Sequence, residues 1–332
     1  MFSQKPNVAI VGSTGAVGQA MVAILEQREF PVGTLYPLAS ERSAGKTVMF
    51  RNKAVLVKLL ESFDFSDVEI AFFSAGASVS AEHAARAVAS GCVVIDNTSH
   101  FRNDPAIPLV VPEVNPSALS SHSGIIANPN CSTIQMVVAL KPIYDAVGIT
   151  RINVCTYQAV SGAGNKAMEE LAGQTAALLN GRPVEAKVMP KQIAFNAIPH
   201  IDSFQENGYT REEMKMVWET RKILEDQTIG VNPTTVRVPV FYGHSEAIHV
   251  ETREKISAQQ ARKLLGAAPG VTVVDERVDG GYPTAVTEAT DADPVFVGRI
   301  REDISCEKGL CLWVVSDNIR KGAALNSIQI AE

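Results

Sequence analysis

The segment "IIANPNCSTIQMV" places one thiol, Cys131, between Asn130 and Ser132, directly after a proline turn and at the start of a helix-like run. Nucleophilic chemistry at sulfur needs a thiolate. The partial positive charge and free N–H groups of a helix N-terminus favour that form. The same N–H groups suit the oxyanion of a tetrahedral intermediate. Cys131 is therefore a candidate nucleophile. The other cysteines, Cys92, Cys155, Cys306 and Cys311, are widely spaced, with no CxxC pair and no Cys/His run at metal-ligand spacing. This argues against a disulfide framework or a metal site. Cys92 and Cys155 fall in strand-like runs and read as small buried hydrophobes.

A thiol nucleophile needs a proton-transfer partner. Among the six histidines, His244 follows a glycine at a break between strand-like runs, a good place to present an imidazole to a cleft. His83, in a run of alanines, reads as solvated, and His249 as packed in a strand. Arg237 lies seven residues before His244, so an unbroken strand would put them on opposite faces. For both to face one site, the backbone must bend near Pro239 or Gly243.

A second chemical signal sits near the N-terminus. "VAIVGSTGAVGQAM" carries Gly12, Gly15 and Gly18 at a strand-to-helix junction, spaced G-x-x-G-x-x-G. Glycine permits the tight turn, and free N–H groups at the helix start attract a diphosphate. The second strand ends in "LASERSAGK", where Ser40, Arg42 and Ser43 offer a guanidinium and hydroxyls to a 2′-phosphate. Glu41 dissents, as an acid is the usual partner of the NAD ribose. The balance favours NADP(H).

The elements that must carry these residues fall into two patterns. Residues 1–130 alternate apolar strands ("NVAIVG", "VGTLYPLAS", "VEIAFFSAG", "CVVIDNTS") with helical runs, which implies parallel strands joined by crossovers. Beyond them come longer strands ("RINVCTYQAV", "TTVRVPVFYGHSEAIHVET", "DPVFVGRIRED", "CLWVVSDN") and the helices "KAMEELAGQTAALLN" and "REEMKMVWETRKILED", a mixed sheet with helices on one face. "NIRKGAALNSIQIAE" reads as a final helix. The chain has 332 residues, 46% hydrophobic and 20% charged, with a net charge of -6. There is no basic run to hold nucleic acid. No stretch reaches the roughly 18 apolar residues of a membrane span. The N-terminus lacks the parts of a signal peptide, so a cytoplasmic protein is expected.

In order along the chain, "GSTGAVG", "SERSAGK", "FFSAG", "NTSHFR", "NPNCST", "YQAVSGAG", "REEMK", "RVPVFYGHSEA", "VFVGRIR" and "DNIRKGAALN" resemble the aspartate-β-semialdehyde dehydrogenase family over nearly the full length. His100 and Thr235 are small departures.

The resemblance implies an α/β architecture. A Rossmann-type doubly wound parallel sheet over 1–130 plus 315–332 would bind NADP, and an α+β catalytic and dimerisation domain of mixed sheet would span 131–314. It implies reduction of β-aspartyl phosphate by NADPH to aspartate β-semialdehyde, on the route to lysine, threonine and methionine, in a homodimer that uses no metal. Cys131 would form a thioester, His244 would act as general acid/base, Gln158 would orient the intermediate, and Asn130 would assist the thiol or the bound anion.

Arg237 resembles the grip on the substrate α-carboxylate. Arg102 and Lys215 resemble the phosphate ligands, and Glu212 the ammonium partner, with Glu213 as its alternative one residue on. Thr14, Gly15, Ala16 and Val17 map to the diphosphate turn that Gly12 opens, and Arg42 and Ser43 to the 2′-phosphate, with Ser40 beside them on the reading of the loop itself. Ser161 and Gly162 map near the nicotinamide, and Asn318 to a further cofactor contact. On charge pattern alone, "REEMK" reads as a solvated helix face and Arg102 as a surface residue. Two rivals share part of this pattern: N-acetyl-glutamyl-phosphate reductase, disfavoured by "NPNCST" and "REEMK", and a catalytically silent dinucleotide-binding protein.

Overall fold

The computed structural model describes residues 5–332. It divides into two compact units, one running through Asn130 and resuming at Ala323–Glu332, the other covering Cys131–Gly322.

The first unit is built on strands β1 (Val8–Val11), β2 (Leu35–Ala39), β5 (Lys58–Leu59), β6 (Ile70–Phe73), β7 (Val93–Asp96) and β8 (Ile125–Ala127), with a hairpin of β3 (Thr47–Phe50) and β4 (Lys53–Leu56) beside them. The six-stranded sheet runs β5-β2-β1-β6-β7-β8 and every pairing in it is parallel. Helices α1 (Ala16–Gln27) and α2 (Ala77–Ala89) are crossovers. The central strands read as unbroken apolar runs because both faces are covered. Alternation along each strand then feeds two cores. Val8, Ile10, Ile70 and Phe72 join Met21, Ile24 and Leu25 of α1 in one. Ala9, Val11, Ala71 and Phe73 join Phe65 and Ala84 and Ala87 of α2 in the other.

The second unit carries α3 (Cys131–Val147), β9 (Ile149–Gln158), α4 (Asn165–Leu179), α5 (Arg211–Ile223), β10 (Gly230–Arg237), β11 (His244–Thr252), α6 (Ala258–Gly266), β12 (Val271–Val273), β13 (Val295–Glu302) and β14 (Gly309–Ser316). Its sheet runs β10-β9-β11-β14-β13-β12. The pairs β9–β10 and β12–β13 are parallel, and the three between them antiparallel. Helix α3 lies against β9, β11, β13 and β14. The chain ends in α7 (Leu325–Ala331), whose Leu325, Ile328 and Ile330 complete the first core of unit one.

Three expectations change. The segment returning to the first unit begins at Ala323, not 315, because Val315 and Ser316 are paired with β11 in the second sheet. The final regular helix starts only at Leu325, after a wide turn over Arg320–Ala324. His83 is buried rather than solvated, since Ser80, His83, Ala84 and Ala87 form the inward stripe of α2. Among the described residues, no helix is long and apolar enough to cross a membrane.

Candidate active site

Four strand ends of the second sheet converge on one edge. Arg237, the last residue of β10, is in register with Gln158, the last of β9. His244, the first residue of β11, is in register with Ser316, the last of β14. The bend expected between Arg237 and His244 is residues 238–243, closed by Gly243 at φ +83. Any Cβ at Gly243 would lie 2.7 Å from the Ala285 carbonyl oxygen, so only glycine fits there. Arg237 and His244 therefore occupy strand ends on either side of β9.

Cys131 is the first residue of α3 and is partly exposed, with Asn130 buried just before it. Gly322 approaches Cys131 so closely that a Cβ there would sit 2.8 Å from Cys131 Cβ. Arg237 is buried and acts electrostatically on Cys131. Burial lowers the Arg237 pKa, while Glu212 and Cys131 oppose that shift. Arg237 Nη1 donates to the Ala159 carbonyl at 2.7 Å.

The Ala159 N–H in turn donates to His244 Nδ1 at 3.0 Å. That bond makes Nδ1 an acceptor, so the ring proton belongs on Nε2. Burial first, and Arg237 second, lower the His244 pKa from 6.5 to about 3. Glu212, and after it the Gly243 backbone, work the other way. The imidazole is neutral at physiological pH, and its Nε2 has no hydrogen-bond partner within the protein. Gly162 closes over both groups. A Cβ there would lie 3.1 Å from Arg237 Nη1 and 3.5 Å from His244 Nε2.

Gln158 is fixed from both ends. Its Oε1 accepts from the Thr156 hydroxyl at 3.0 Å, and its Nε2 donates to Glu212 Oε1 at 3.2 Å. Glu212 Oε2 accepts from Lys215 Nζ at 2.9 Å, and Lys215 also donates to Asp202 at 2.8 Å. Burial works against the Lys215 ammonium, but Glu212 and Asp202 outweigh it and its pKa rises. The "REEMK" charges are thus not a solvated face: Glu212 and Glu213 are both buried. The two acids do different jobs. Glu213 accepts from the N–H groups of Thr210 and Thr235, at 2.7 and 3.0 Å, closing a capping box at the start of α5. Glu212 is the one turned toward Gln158.

Ser161 and Asn318 lie in the same unit. Asn318 Nδ2 donates to the Ser161 hydroxyl at 2.9 Å, and Oδ1 accepts from the Gly243 N–H at 2.9 Å.

One residue has no counterpart in the sequence reading. Glu246 lies two positions after His244 on the same strand face, fully buried, and neither carboxyl oxygen makes a hydrogen bond within the protein. Burial pushes its pKa well above the usual carboxylate range, partly offset by Gln135, one turn past Cys131 on α3. The Gln135 amide acts toward the carboxyl as a donor, short of the geometry of a full hydrogen bond.

The first unit holds the glycine-rich turn. Gly12 has φ +89, and a Cβ there would meet the Ser74 backbone at 3.0 Å. A Cβ at Gly18 would lie 2.3 Å from the Gly12 carbonyl oxygen. Gly15 caps α1 without any side-chain hydrogen bond, and the first turn has no acid. Thr14, Ala16 and Val17 complete the turn. Its backbone is therefore open to an anion, and the bare backbone and uncapped helix start suit a dinucleotide diphosphate. At the end of β2, Ser40, Glu41 and Arg42 are exposed, whereas Ser43 is buried within the turn they form. Arg42 is thus the accessible cation of the group. Arg102 is buried, not a surface residue, and Nη2 donates to the Asn97 carbonyl at 2.8 Å.

Residues 7–122 match the family model described as "Semialdehyde dehydrogenase, NAD binding domain", and residues 140–321 the one described as "Semialdehyde dehydrogenase, dimerisation domain". An aspartate-semialdehyde dehydrogenase of Legionella pneumophila is 64% identical, covering 100% of this chain and 96% of that protein.

The chain belongs to the aspartate-semialdehyde dehydrogenase family.

A Bacillus subtilis aspartate-semialdehyde dehydrogenase is 52% identical over 98% of the chain and 96% of its own length. Among solved structures, aspartate semialdehyde dehydrogenase II of Vibrio cholerae complexed with ASA superimposes with a TM-score of 0.97, at 60% identity and with 99% and 98% of the two chains covered. A Candida albicans member with NADP matches at a TM-score of 0.78 and 25% identity, covering 98% and 97%. Membership makes the chain an oxidoreductase of amino-acid biosynthesis with an NAD(P)-binding domain.

Proposed function

We propose that this aspartate-semialdehyde dehydrogenase works through a thioester at Cys131, reducing β-aspartyl phosphate with NADPH. The observation that carries this reading is the grouping of Arg237, Gln158 and His244 at one sheet edge, with Arg237 in electrostatic reach of Cys131.

The Cys131 sulfur attacks the acyl carbon and phosphate departs with the electron pair of the C–O bond. Bound NADPH supplies a hydride to the thioester carbonyl. The oxygen that gains charge at both tetrahedral stages accepts a hydrogen bond from the His244 Nε2–H, which the Ala159 contact directs outward. A neutral imidazole held this way is a hydrogen-bond donor at physiological pH. When the C–S bond breaks, its electrons return to Cys131 as thiolate and the aldehyde is free. Asn130 and the N–H groups at the α3 start support the sulfur.

Arg237 grips the α-carboxylate, and Glu212, oriented by Gln158 and Lys215, accepts from the α-ammonium. Lys215 and Arg102 are the phosphate ligands that the family resemblance implies. Gly12, Thr14, Gly15, Ala16 and Val17 hold the NADP diphosphate, Arg42 with Ser40 and Ser43 the 2′-phosphate, and Ser161, Gly162 and Asn318 the nicotinamide end. The V. cholerae ASA complex and the C. albicans NADP structure support both ligand classes. A cytoplasmic homodimer formed through the second unit belongs to the same reading, supported by the dimerisation-domain match.

The test runs the reaction backwards. Aspartate β-semialdehyde, phosphate and NADP⁺ should yield NADPH, and Cys131→Ala should abolish the signal. Turnover by that variant at wild-type rate would overturn the covalent mechanism.

A further inference from the structure

On the face of β11 away from α3, a second chemical cluster stands apart from the site above. His249 is five residues from His244, an odd number, so it points to the opposite face of the sheet. At about 3.4 Å per residue, the two histidines are roughly 17 Å apart along the strand. His249 is directly opposite Cys311 on β14. Asp303 follows the last residue of β13, and its N–H donates to the Gly309 carbonyl at the start of β14. One ligand-capable atom from each of His249, Cys311 and Asp303 lies within 4.8 Å of the other two. His249 Nδ1 and Cys311 Sγ are 3.1 Å apart.

We propose that His249 Nδ1, Cys311 Sγ and a carboxylate oxygen of Asp303 form a binding site for a borderline transition-metal dication of the Zn²⁺ type.

The donor set is imidazole nitrogen, thiolate sulfur and carboxylate oxygen, the mixture such ions take, and it rejects Mg²⁺ and Ca²⁺, which want oxygen alone. Bond lengths of about 2.3 Å to sulfur and about 2.0–2.2 Å to nitrogen and oxygen put tetrahedral ligand atoms roughly 3.5 Å apart. The Nδ1–Sγ pair needs to open by only a few tenths of an ångström. Asp303 is already oriented for the task. Its Oδ1 accepts from the Ser305 N–H and hydroxyl at 2.8 and 2.7 Å. These bonds fix the carboxylate plane in the way outer-shell partners do at known sites. The ligands sit on or beside three hydrogen-bonded strands rather than on loops, which preserves their geometry. Three protein ligands leave a fourth position for water or an exogenous donor.

Arg301 is opposite Cys311 on β13 and repels a cation, but its charge also favours the thiolate, while burial and Asp303 oppose it. Burial is the larger influence and raises the thiol pKa. A thiol binds a metal as thiolate, so metal uptake releases its proton to solvent as the S–metal bond forms. The linear spacing of these residues hides the site, because its members are 54 and 8 residues apart in sequence and meet only when the strands pair.

The experiment titrates Co²⁺ into the full-length enzyme carrying Cys131→Ser, which removes the catalytic thiol as a competing ligand. A sulfur-to-cobalt charge-transfer band should appear at one equivalent per chain, with about one proton released, and Zn²⁺ should displace it. His249→Ala and Asp303→Asn should each weaken cobalt binding at least about tenfold. Cys311→Ser should erase the sulfur band. Asp303→Asn keeps the test alive if the buried Cys311 variant folds poorly. Mg²⁺ and Ca²⁺ should neither produce the band nor displace cobalt. Absence of the band in the Cys131→Ser enzyme, or its persistence at wild-type affinity in the His249 and Asp303 variants, would overturn the proposal.

Discussion

Replacing His244 by Asn tests whether the imidazole is held neutral by its surroundings. An Asn side-chain oxygen can accept from the Ala159 N–H as His244 Nδ1 does, so the backbone contact at 3.0 Å is kept while the titration is removed. In the folded chain the His244 pKa lies at about 3, below the ordinary 6.5, because burial and then Arg237 disfavour the cation. The sign follows from linkage. A depressed pKa means that the unfolded chain binds the proton first. The stability contributed by this group is complete above pH 6.5 and is lost progressively as pH falls from there toward 3.

Between pH 7 and pH 5 the loss is about 2 kcal/mol, as 1.36 kcal/mol accompanies each unit and the unfolded imidazole at pH 5 is about 1.5 units below its pKa. Wild type alone hides the effect. Glu246, on the same strand face, has a raised pKa and gains stability as pH falls, and Arg237 and Glu212 also act on the ring. The difference between the two proteins isolates it. Urea midpoints measured at both pH values, at one fixed protein concentration, should show the Asn variant gaining about 2 kcal/mol on wild type at pH 5. A difference that stays constant from pH 7 to pH 5 would refute the buried neutral imidazole.

Glu246→Gln mimics the protonated acid, so it should be more stable than wild type at pH 7. That advantage should fade as pH falls toward 4.5, because the folded-state pKa is raised; thermal midpoints across that range check it. Glu212→Ala and Glu213→Ala should separate cleanly in steady-state kinetics and urea melts. The first should raise KM for the semialdehyde, and the second should cost about 1–2 kcal/mol of stability through the lost cap and the orphaned Thr235 N–H. Gly18→Ala forces a methyl group to within 2.3 Å of the Gly12 carbonyl oxygen, so isothermal titration with NADP⁺ should find weakened binding. Unchanged affinity would remove the turn from the cofactor site.

Much of this was written plainly in the chain. Strands with both faces covered are apolar without interruption, and "VAIV" is buried at every position. The capping box was legible too: Thr210 and Glu213 stand at S/T-x-x-E spacing, and that alone assigns Glu213 to the helix start and frees Glu212 for the site. His83 was misread because its stripe, Ser80, His83, Ala84 and Ala87, is built of small residues that do not look like a core face. Strict alternation from His244 puts Glu246 on the buried face, yet a carboxyl there runs against ordinary burial preference, so composition argued against what periodicity said. The reach of Glu212 to Gln158, and the meeting of Arg237 with His244 across β9, depend on strand order, which no local pattern encodes.

Strand β11 is a two-sided ribbon whose parity is committed twice. Its even-numbered residues from His244 to Thr252 are buried toward α3, and His249 is turned the other way. Inserting or deleting a single residue between them would invert one set relative to the other. Lengthening is tolerable only outside the ribbon, and Gly243, wedged against Ala285, forbids it on one side. Descendants of this chain should therefore vary the length of the nine residues after that glycine scarcely at all.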